Sequence, residues 1–160
     1  MNFAFLTSRS LSPRLLRLRQ SALFATLTPL ELRTVAGLLH ERHYLGDEII
    51  FDEGEEGQAL YLVIAGRVLI SRQKDSTIDV VAELSAGAFF GDLALLDDSP
   101  RNAQARAQGN CELAVFFRAD FMALMDTDAV MGYKISLALA RHIGQRLRDS
   151  MMGKSQLEAL

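Results

Sequence analysis

The chain has 160 residues, of which 49% are hydrophobic and 23% charged, and its formal net charge is −3. These values fit one globular domain and exclude a disordered, fibrous or low-complexity chain. The single cysteine, Cys111, excludes an intramolecular disulfide framework and predicts a reducing, cytoplasmic location, and the longest apolar run, 59–65, predicts no membrane span.

The first 30 residues contain four arginines and no acidic residue, so residues 31–160 hold 13 basic against 20 acidic groups. An acidic body predicts no direct contact with nucleic acid, because binding phosphates requires a clustered basic face. We assign residues 1–22 as a separate basic segment. Its composition allows either an organelle-targeting peptide or a short amphipathic helix lying on the domain.

A helix is predicted over residues 29–43, with Thr28 as N-cap and Pro29 in the first turn. Short runs of β-branched and aromatic residues then follow between Gly- or Asp-containing turns. We predict strands near residues 48–51, 59–64, 68–72, 78–84, 103–107 and 111–117, with a tight hairpin at Gly66. This pattern predicts an antiparallel β-roll or jelly-roll barrel, a double-stranded β-helix, with helices before and after it.

Helical periodicity returns after Arg118, first in a short helix around Phe121 and then in a longer one over residues 128–151. The longer helix carries an apolar stripe with a four-residue interval, formed by Ile135, Leu139, Ile143 and Leu147. The stripe fits packing against the chain's own barrel or pairing with a second copy. We predict one domain over residues 23–152 and a tail over 153–160, which is too short for a helix-turn-helix unit and argues against a transcription factor.

The segment Phe90–Ala103 combines three groups that suit a nucleotide. Gly91 opens a short helix, whose free N–H groups favour an anion. Arg101 follows a proline in the returning loop, and a guanidinium can hold two phosphate oxygens. Asp92 would repel phosphate but can accept hydrogen bonds from sugar hydroxyls.

This segment resembles the phosphate-binding cassette of the cyclic nucleotide-binding domains found in catabolite activator proteins, protein kinase regulatory subunits and cyclic-nucleotide-gated channels. The resemblance spans roughly residues 23–148. The matching positions in the cassette are Phe90, Gly91, Leu93, Ala94, Leu95, Pro100, Arg101 and Ala103, and those outside it are Gly46, Asp47, Gly54, Gly57, Tyr61 and Gly66.

The resemblance implies a cyclic nucleotide ligand, cAMP or cGMP, and no other cofactor. Arg101 would bind the cyclic phosphate, and Asp92 would bind the ribose 2′-hydroxyl. The family has glutamate at position 92, about 1.5 Å longer, and alanine, serine or threonine in place of Asn102, so the base preference stays open. The predicted ligand-binding residues are Gly91, Asp92, Leu93, Ala94, Arg101, Asn102 and Ala103.

The resemblance also implies that the last helix closes over the base, with Arg141, His142 and Gln145 as candidate contacts. We predict a regulatory module whose signal is read by a separate effector protein or by a homodimer contact through that helix. The alternative is an interaction scaffold that keeps the fold but not nucleotide binding, with Asp92 and Arg101 paired to each other.

No enzyme or metal site is predicted. A serine, cysteine or threonine nucleophile with a base beside it is absent from the sequence pattern. His40 and His43 lie three apart at the end of the first predicted helix, without further ligands to complete a metal site. The acidic cluster over residues 47–56 lacks the ligand spacing of a calcium loop.

Overall fold

The structure is a computed structural model that describes residues 10–153. The parts of the predicted basic segment and tail in residues 1–9 and 154–160 lie outside the described residues. The elements, in chain order, are α1 (Pro13–Gln20), α2 (Pro29–Ala36), β1 (His40–Tyr44), β2 (Ile49–Phe51), β3 (Ala59–Lys74), β4 (Thr77–Ser85), β5 (Phe89–Phe90), a 3₁₀ turn (Asp92–Leu95), β6 (Gln104–Phe117), α3 (Arg118–Thr127) and α4 (Ala129–Met151).

The six strands form one antiparallel sheet built around the long strands β3 and β6. The order is β1-β6-β3-β4, with β2 also paired to β6 and β5 also paired to β3. Within residues 10–153 no ladder joins β1 to β4, so the sheet is a roll and not a closed barrel. The predicted antiparallel β-roll with helices before and after it is confirmed.

Two apolar clusters hold the helices and the roll together. One lies between the sheet and the helices, and its fully buried members include Phe24, Leu32 and Phe116. The other fills the inside of the roll, where Val68 and Leu113 are fully buried. The second cluster continues into the walls of the cavity described below.

The N-terminal helices begin as their sequences suggest. Ser12 and Thr28 cap α1 and α2 by accepting a hydrogen bond from the third backbone N–H, and each helix starts with proline. Leu18 of α1 is fully buried in the helix–sheet cluster. The structure therefore has a short helix packed on the domain over Pro13–Gln20.

The helix predicted over residues 29–43 extends too far along the chain. In the structure, α2 ends at Ala36, with Gly37 as its C-cap, and His40 and His43 lie on β1 and not at the end of a helix. Four of the five β1 residues are exposed, so this strand shows no alternating apolar pattern by which sequence could identify it.

The hairpin predicted at Gly66 is also wrong. Residues 59–74 form one continuous strand, and the register with β6 shifts on both sides of Ala65. Gly66 has a φ of +88°, and a Cβ there would lie 2.4 Å from the backbone oxygen of Asn110. The glycine thus serves a bulge that bends the strand and not a turn that ends it. The two strands predicted over 103–117 are likewise one strand, β6.

The apolar stripe of α4 divides into two halves. Ile135 and Leu139 are buried in the helix–sheet cluster, Ile143 is partly buried against it, and Leu147 is 60% exposed. The first half therefore packs against the chain's own fold. None of the helices between residues 10 and 153 is both long and apolar enough to span a bilayer.

Candidate functional site

A cavity opens between the inside of the roll, the 3₁₀ turn and α4. It has a volume of about 170 Å³ and is open to solvent on one side. All seven residues predicted as ligand-binding line it: Gly91, Asp92, Leu93, Ala94, Arg101, Asn102 and Ala103. The structure therefore brings the two ends of the predicted cassette to one place.

Arg101 is held in the cavity wall by its backbone and by its side chain. Its backbone N–H donates to the backbone carbonyl of Glu55, and its own carbonyl accepts from the backbone N–H of Gly54, both at 2.7 Å. The two terminal nitrogens of the guanidinium donate to the carbonyls of Ala59 at 2.7 Å and Gly91 at 3.1 Å. The guanidinium carbon lies 4.1 Å from the ring centre of Phe51, a cation–π contact.

Two glycines make room for this guanidinium. Gly91 has a φ of +70°, and a Cβ there would lie 2.6 Å from Nη1 of Arg101. At Gly57 a Cβ would lie 3.1 Å from both Cζ and Nε of the same side chain. Gly91 and Gly57 therefore leave the space that the Arg101 side chain occupies, and Gly91 is favoured also by its backbone conformation.

The charge of Arg101 has no counter-ion in the described part of the chain. The residue is 8% exposed, no carboxylate between residues 10 and 153 forms an ion pair with it, and its Nε is buried without a hydrogen-bond partner. Burial lowers the pKa of the guanidinium, although Tyr61, Glu55 and Asp92 act to raise it. A buried cation with a free N–H favours an anionic ligand.

Asp92 does not pair with Arg101, so the pairing assumed in the scaffold alternative is wrong. Asp92 is buried, and its carboxylate accepts from Nη1 of Arg146 on α4, at 2.9 and 3.0 Å to its two oxygens. The sequence interpretation missed Arg146, which lies 54 residues further along the chain. It lies one helical turn after His142, so the spacing of four residues on α4 could have indicated it.

Helix α4 contributes one wall of the cavity. His142 and Arg146 line it, and the His142 ring lies 4.3 Å from that of Phe89, centre to centre. Burial lowers the pKa of His142, with Asp92 acting to raise it and Arg146 to lower it. The other two predicted base contacts are elsewhere, because Arg141 and Gln145 are exposed and do not line the cavity.

The loop between the 3₁₀ turn and Arg101 is attached to the start of α3. Arg118 forms a 2.7 Å ion pair with Asp98 and donates to the carbonyls of Ala94, at 3.2 Å, and Asp97. Asp97 in turn accepts from the Ser99 N–H at 3.0 Å, which lowers the pKa of its carboxyl. These contacts attach residues 96–100, which connect the 3₁₀ turn to Arg101, to the start of α3.

A further arginine of the cavity was missed from the sequence. Arg72, near the end of β3, donates from Nε to the carbonyl of Asn102 at 3.1 Å and lines the cavity beside Ile70. The remaining lining here is apolar, from Val81, Leu84 and Ala103. The cavity thus combines a site for an anion, a carboxylate that can accept from hydroxyls, and an apolar wall with a polar edge.

Comparison with known proteins agrees with this chemistry. Residues 41–128 match the family model of the cyclic nucleotide-binding domain. The cyclic AMP receptor protein of Thermus thermophilus is 34% identical over 134 residues, which covers 83% of this chain and 60% of the relative. The crystal structure of the Thermus thermophilus catabolite activator protein matches with a TM-score of 0.74 at 34% identity, covering 83% of this chain and 61% of that one.

The regulatory domain of Toxoplasma gondii PKA, solved with cAMP, matches with a TM-score of 0.67 at 29% identity, covering 83% of this chain and 48% of that one. The chain therefore spans less than two thirds of each of these relatives. The family model covers more than half of the chain and includes the whole cassette. The chain belongs to the cyclic nucleotide-binding domain family.

Proposed function

We propose that this chain is a regulatory module that binds a cyclic nucleotide, cAMP or cGMP, and signals through its last helix. The cyclic phosphate would lie against Arg101 and the first backbone N–H groups of the 3₁₀ turn. A ribose hydroxyl would donate to Asp92. The base would lie along the apolar wall, and the same cassette residues, Gly91 to Ala94 with Asn102 and Ala103, would enclose the sugar and phosphate.

The observation that carries this proposal is the buried, unpaired Nε of Arg101. An unsatisfied buried donor costs about 1–3 kcal/mol, and more when the group is charged. A phosphate oxygen removes that cost and supplies the missing counter-charge. Without ligand, the protein thus holds a destabilised cation in the position that the ligand's phosphate would occupy. The site is preorganised in this respect, which lowers the free-energy cost of binding.

The pair of Asp92 and Arg146 suggests how binding reaches α4. A carboxylate offers about four lone-pair positions, so Asp92 can accept from a hydroxyl while it keeps Arg146. A ligand that shifts the 3₁₀ turn therefore shifts a contact that belongs to the lid helix. Allosteric coupling of about 1–3 kcal/mol is typical of such connections and is reciprocal, so a partner bound to α4 should change nucleotide affinity.

The exposed end of α4 is the part of the module that we propose as the output surface. Leu147, Met151 and Met152 are 60%, 78% and 75% exposed. A separate effector protein or a second copy of the chain could cover them. We propose a cytoplasmic location and no enzymatic activity for the module.

Calorimetric titration with cAMP and cGMP tests the proposal, using protein shown to be free of copurified nucleotide. Wild type should bind at least one of them saturably. Arg101→Met should weaken binding at least about 100-fold, because it removes charge-assisted hydrogen bonds of about 1.5–3 kcal/mol each. Arg106→Met is the matched control, because Arg106 is a partly exposed arginine five residues after Arg101 that does not line the cavity. Absence of heat from folded wild type, or equal loss in both variants, would contradict the proposal.

A further inference from the structure

We propose that Arg72 reads the base of the bound nucleotide and makes guanine the preferred base over adenine. This inference rests on the proposed function, because it assigns the base only once a cyclic phosphate lies at Arg101. It adds a residue outside the cassette, on a different strand, that determines specificity.

Arg72 is fixed at one of its three guanidinium nitrogens. Its Nε donates to the carbonyl of Asn102 at 3.1 Å. Its two terminal nitrogens form no hydrogen bond or ion pair with any residue in the described part of the chain. Since Nε is held, the terminal nitrogens form a fork with a defined direction, and the residue is half-buried in the cavity wall.

Arg72 lines the cavity together with the residues of the apolar wall. Arg101 and Asn102 are adjacent in the chain, but Arg101 is buried toward Phe51 and Ala59, whereas Asn102 is exposed and holds Arg72 by its carbonyl. Ile70 and Arg72 are two apart on β3, so they share one face of the strand, and both line the cavity. A planar base packed against Ile70 would therefore have a polar edge near the fork.

The two purines differ at the atoms that such a fork can contact. A guanidinium has donors and no acceptor. Guanine presents two adjacent acceptors, O6 and N7, whereas adenine presents N7 beside an N6 amino donor. Adenine would therefore leave one donor of the fork facing another donor. A good bidentate contact of this kind discriminates against the wrong base by roughly 5- to 150-fold.

A second phosphate contact is the competing role for Arg72. A cyclic phosphodiester carries one negative charge, and Arg101 already supplies one uncompensated buried cation for it. The Nε of Arg72 donates to a backbone carbonyl, and Ile70, two residues before it on β3, lies in the apolar wall. These observations favour the base as its target, and the two roles predict different titrations.

The test is a set of calorimetric titrations with cAMP, cGMP and cIMP, the last of which keeps O6 and N7 but lacks the 2-amino group of guanine. Wild type should bind cGMP and cIMP at least about 5-fold more tightly than cAMP. Arg72→Met should reduce this ratio to near unity, and Arg72→Lys, which keeps the charge without the fork, should reduce it partly. Arg67→Met is the control, since Arg67 lies on the same strand, is 65% exposed and pairs with Glu83 outside the cavity.

Three results would overturn the inference: a wild type that binds cAMP as tightly as cGMP, a preference that survives Arg72→Met, or an equal loss of both nucleotides in that variant, as expected of a phosphate contact. If Arg72→Met does not fold, 7-deaza-cGMP tests the same contact in wild type. It should bind more weakly than cGMP, and equal affinity would contradict the bidentate contact. Failure of the proposed function itself is distinct, because wild type would then bind none of these nucleotides.

Discussion

The pair formed by Asp92 and Arg146 allows a quantitative test, because it is the ion pair that joins the cassette to α4. We consider Asp92→Asn, Arg146→Met and the double variant. The Asp92 side chain is 5% exposed and that of Arg146 is 27% exposed, with N–O distances of 2.9 and 3.0 Å. The double-mutant cycle isolates the energy of this contact from other effects of each substitution.

The expected coupling energy lies between two limits. An exposed ion pair contributes about 0.2–1 kcal/mol, and a hydrogen bond to a buried charged group about 1.5–3 kcal/mol. Because the carboxylate is buried and the guanidinium is only partly exposed, we expect a coupling of about 1.5–2.5 kcal/mol. With about 2–4 °C per kcal/mol for a chain of this size, Arg146→Met should lower Tm by roughly 3–10 °C.

Urea unfolding at pH 7, followed by circular dichroism, measures the four free energies of the cycle. Arg148→Met is the control, because Arg148 lies on the same helix, is exposed, and its side chain donates to Gln145, one turn away, and not to the cassette. It should change the free energy of unfolding by less than about 0.5 kcal/mol. A coupling below about 0.5 kcal/mol, or equal effects of the two arginine substitutions, would refute the reasoning that this pair joins α4 to the cassette.

Three further predictions concern the cavity and helix α4. Gly91→Ala and Gly54→Ala both place alanine at positive φ and should each lower the free energy of unfolding by about 1–2 kcal/mol. In titrations Gly91→Ala should lose nucleotide affinity and Gly54→Ala should keep it, because of the two added Cβ atoms that of Gly91 alone meets the Arg101 guanidinium; equal affinity in both variants would contradict this. In chemical unfolding Leu139→Ala should cost about 2–5 kcal/mol while Leu147→Ala costs less than about 0.5 kcal/mol, so comparable losses would show that the exposed half of the stripe is covered. Burial lowers the pKa of His142, so as the pH decreases the unfolded chain binds a proton near the usual pKa of 6.5, before the folded chain does. The free energy of unfolding should therefore fall as the pH decreases through 6.5 toward the lowered pKa. A His142→Gln variant whose stability falls equally would contradict the assignment.

The cassette could be predicted because its chemistry is local in sequence. Gly91, Asp92 and Arg101 lie within eleven residues, and each residue type has a physical role at its position. The structure places all seven predicted residues around one cavity. The roll was predictable for a similar reason, since short apolar runs between turns are typical of antiparallel strands.

The charged residues that complete the cavity come from distant parts of the chain. Arg72 is on β3 and Arg146 is on α4, and neither is adjacent to a recognisable motif. Their roles depend on which faces of a strand and a helix meet the cassette, and sequence periodicity alone does not specify that packing. His142 was identified on its helix, and Arg146 lies one turn later on the same face.

The errors in the strands have one physical origin. Glycine at positive φ occurs in hairpins and in bulges alike, and only pairing with another strand distinguishes them. Gly66 lies against Asn110 and Cys111 of β6, more than forty residues away, so the bend of β3 is decided by a tertiary contact. Strand β1 was missed because its exposed residues lack an apolar period.

The most direct test of the account is a crystal structure of the protein grown with saturating cGMP or cAMP. The account predicts a nucleotide in the cavity with a phosphate oxygen within hydrogen-bonding distance of Nε of Arg101 and a ribose hydroxyl donating to Asp92. A cavity that stays empty at saturating nucleotide, or a nucleotide bound with its phosphate away from Arg101, would contradict it.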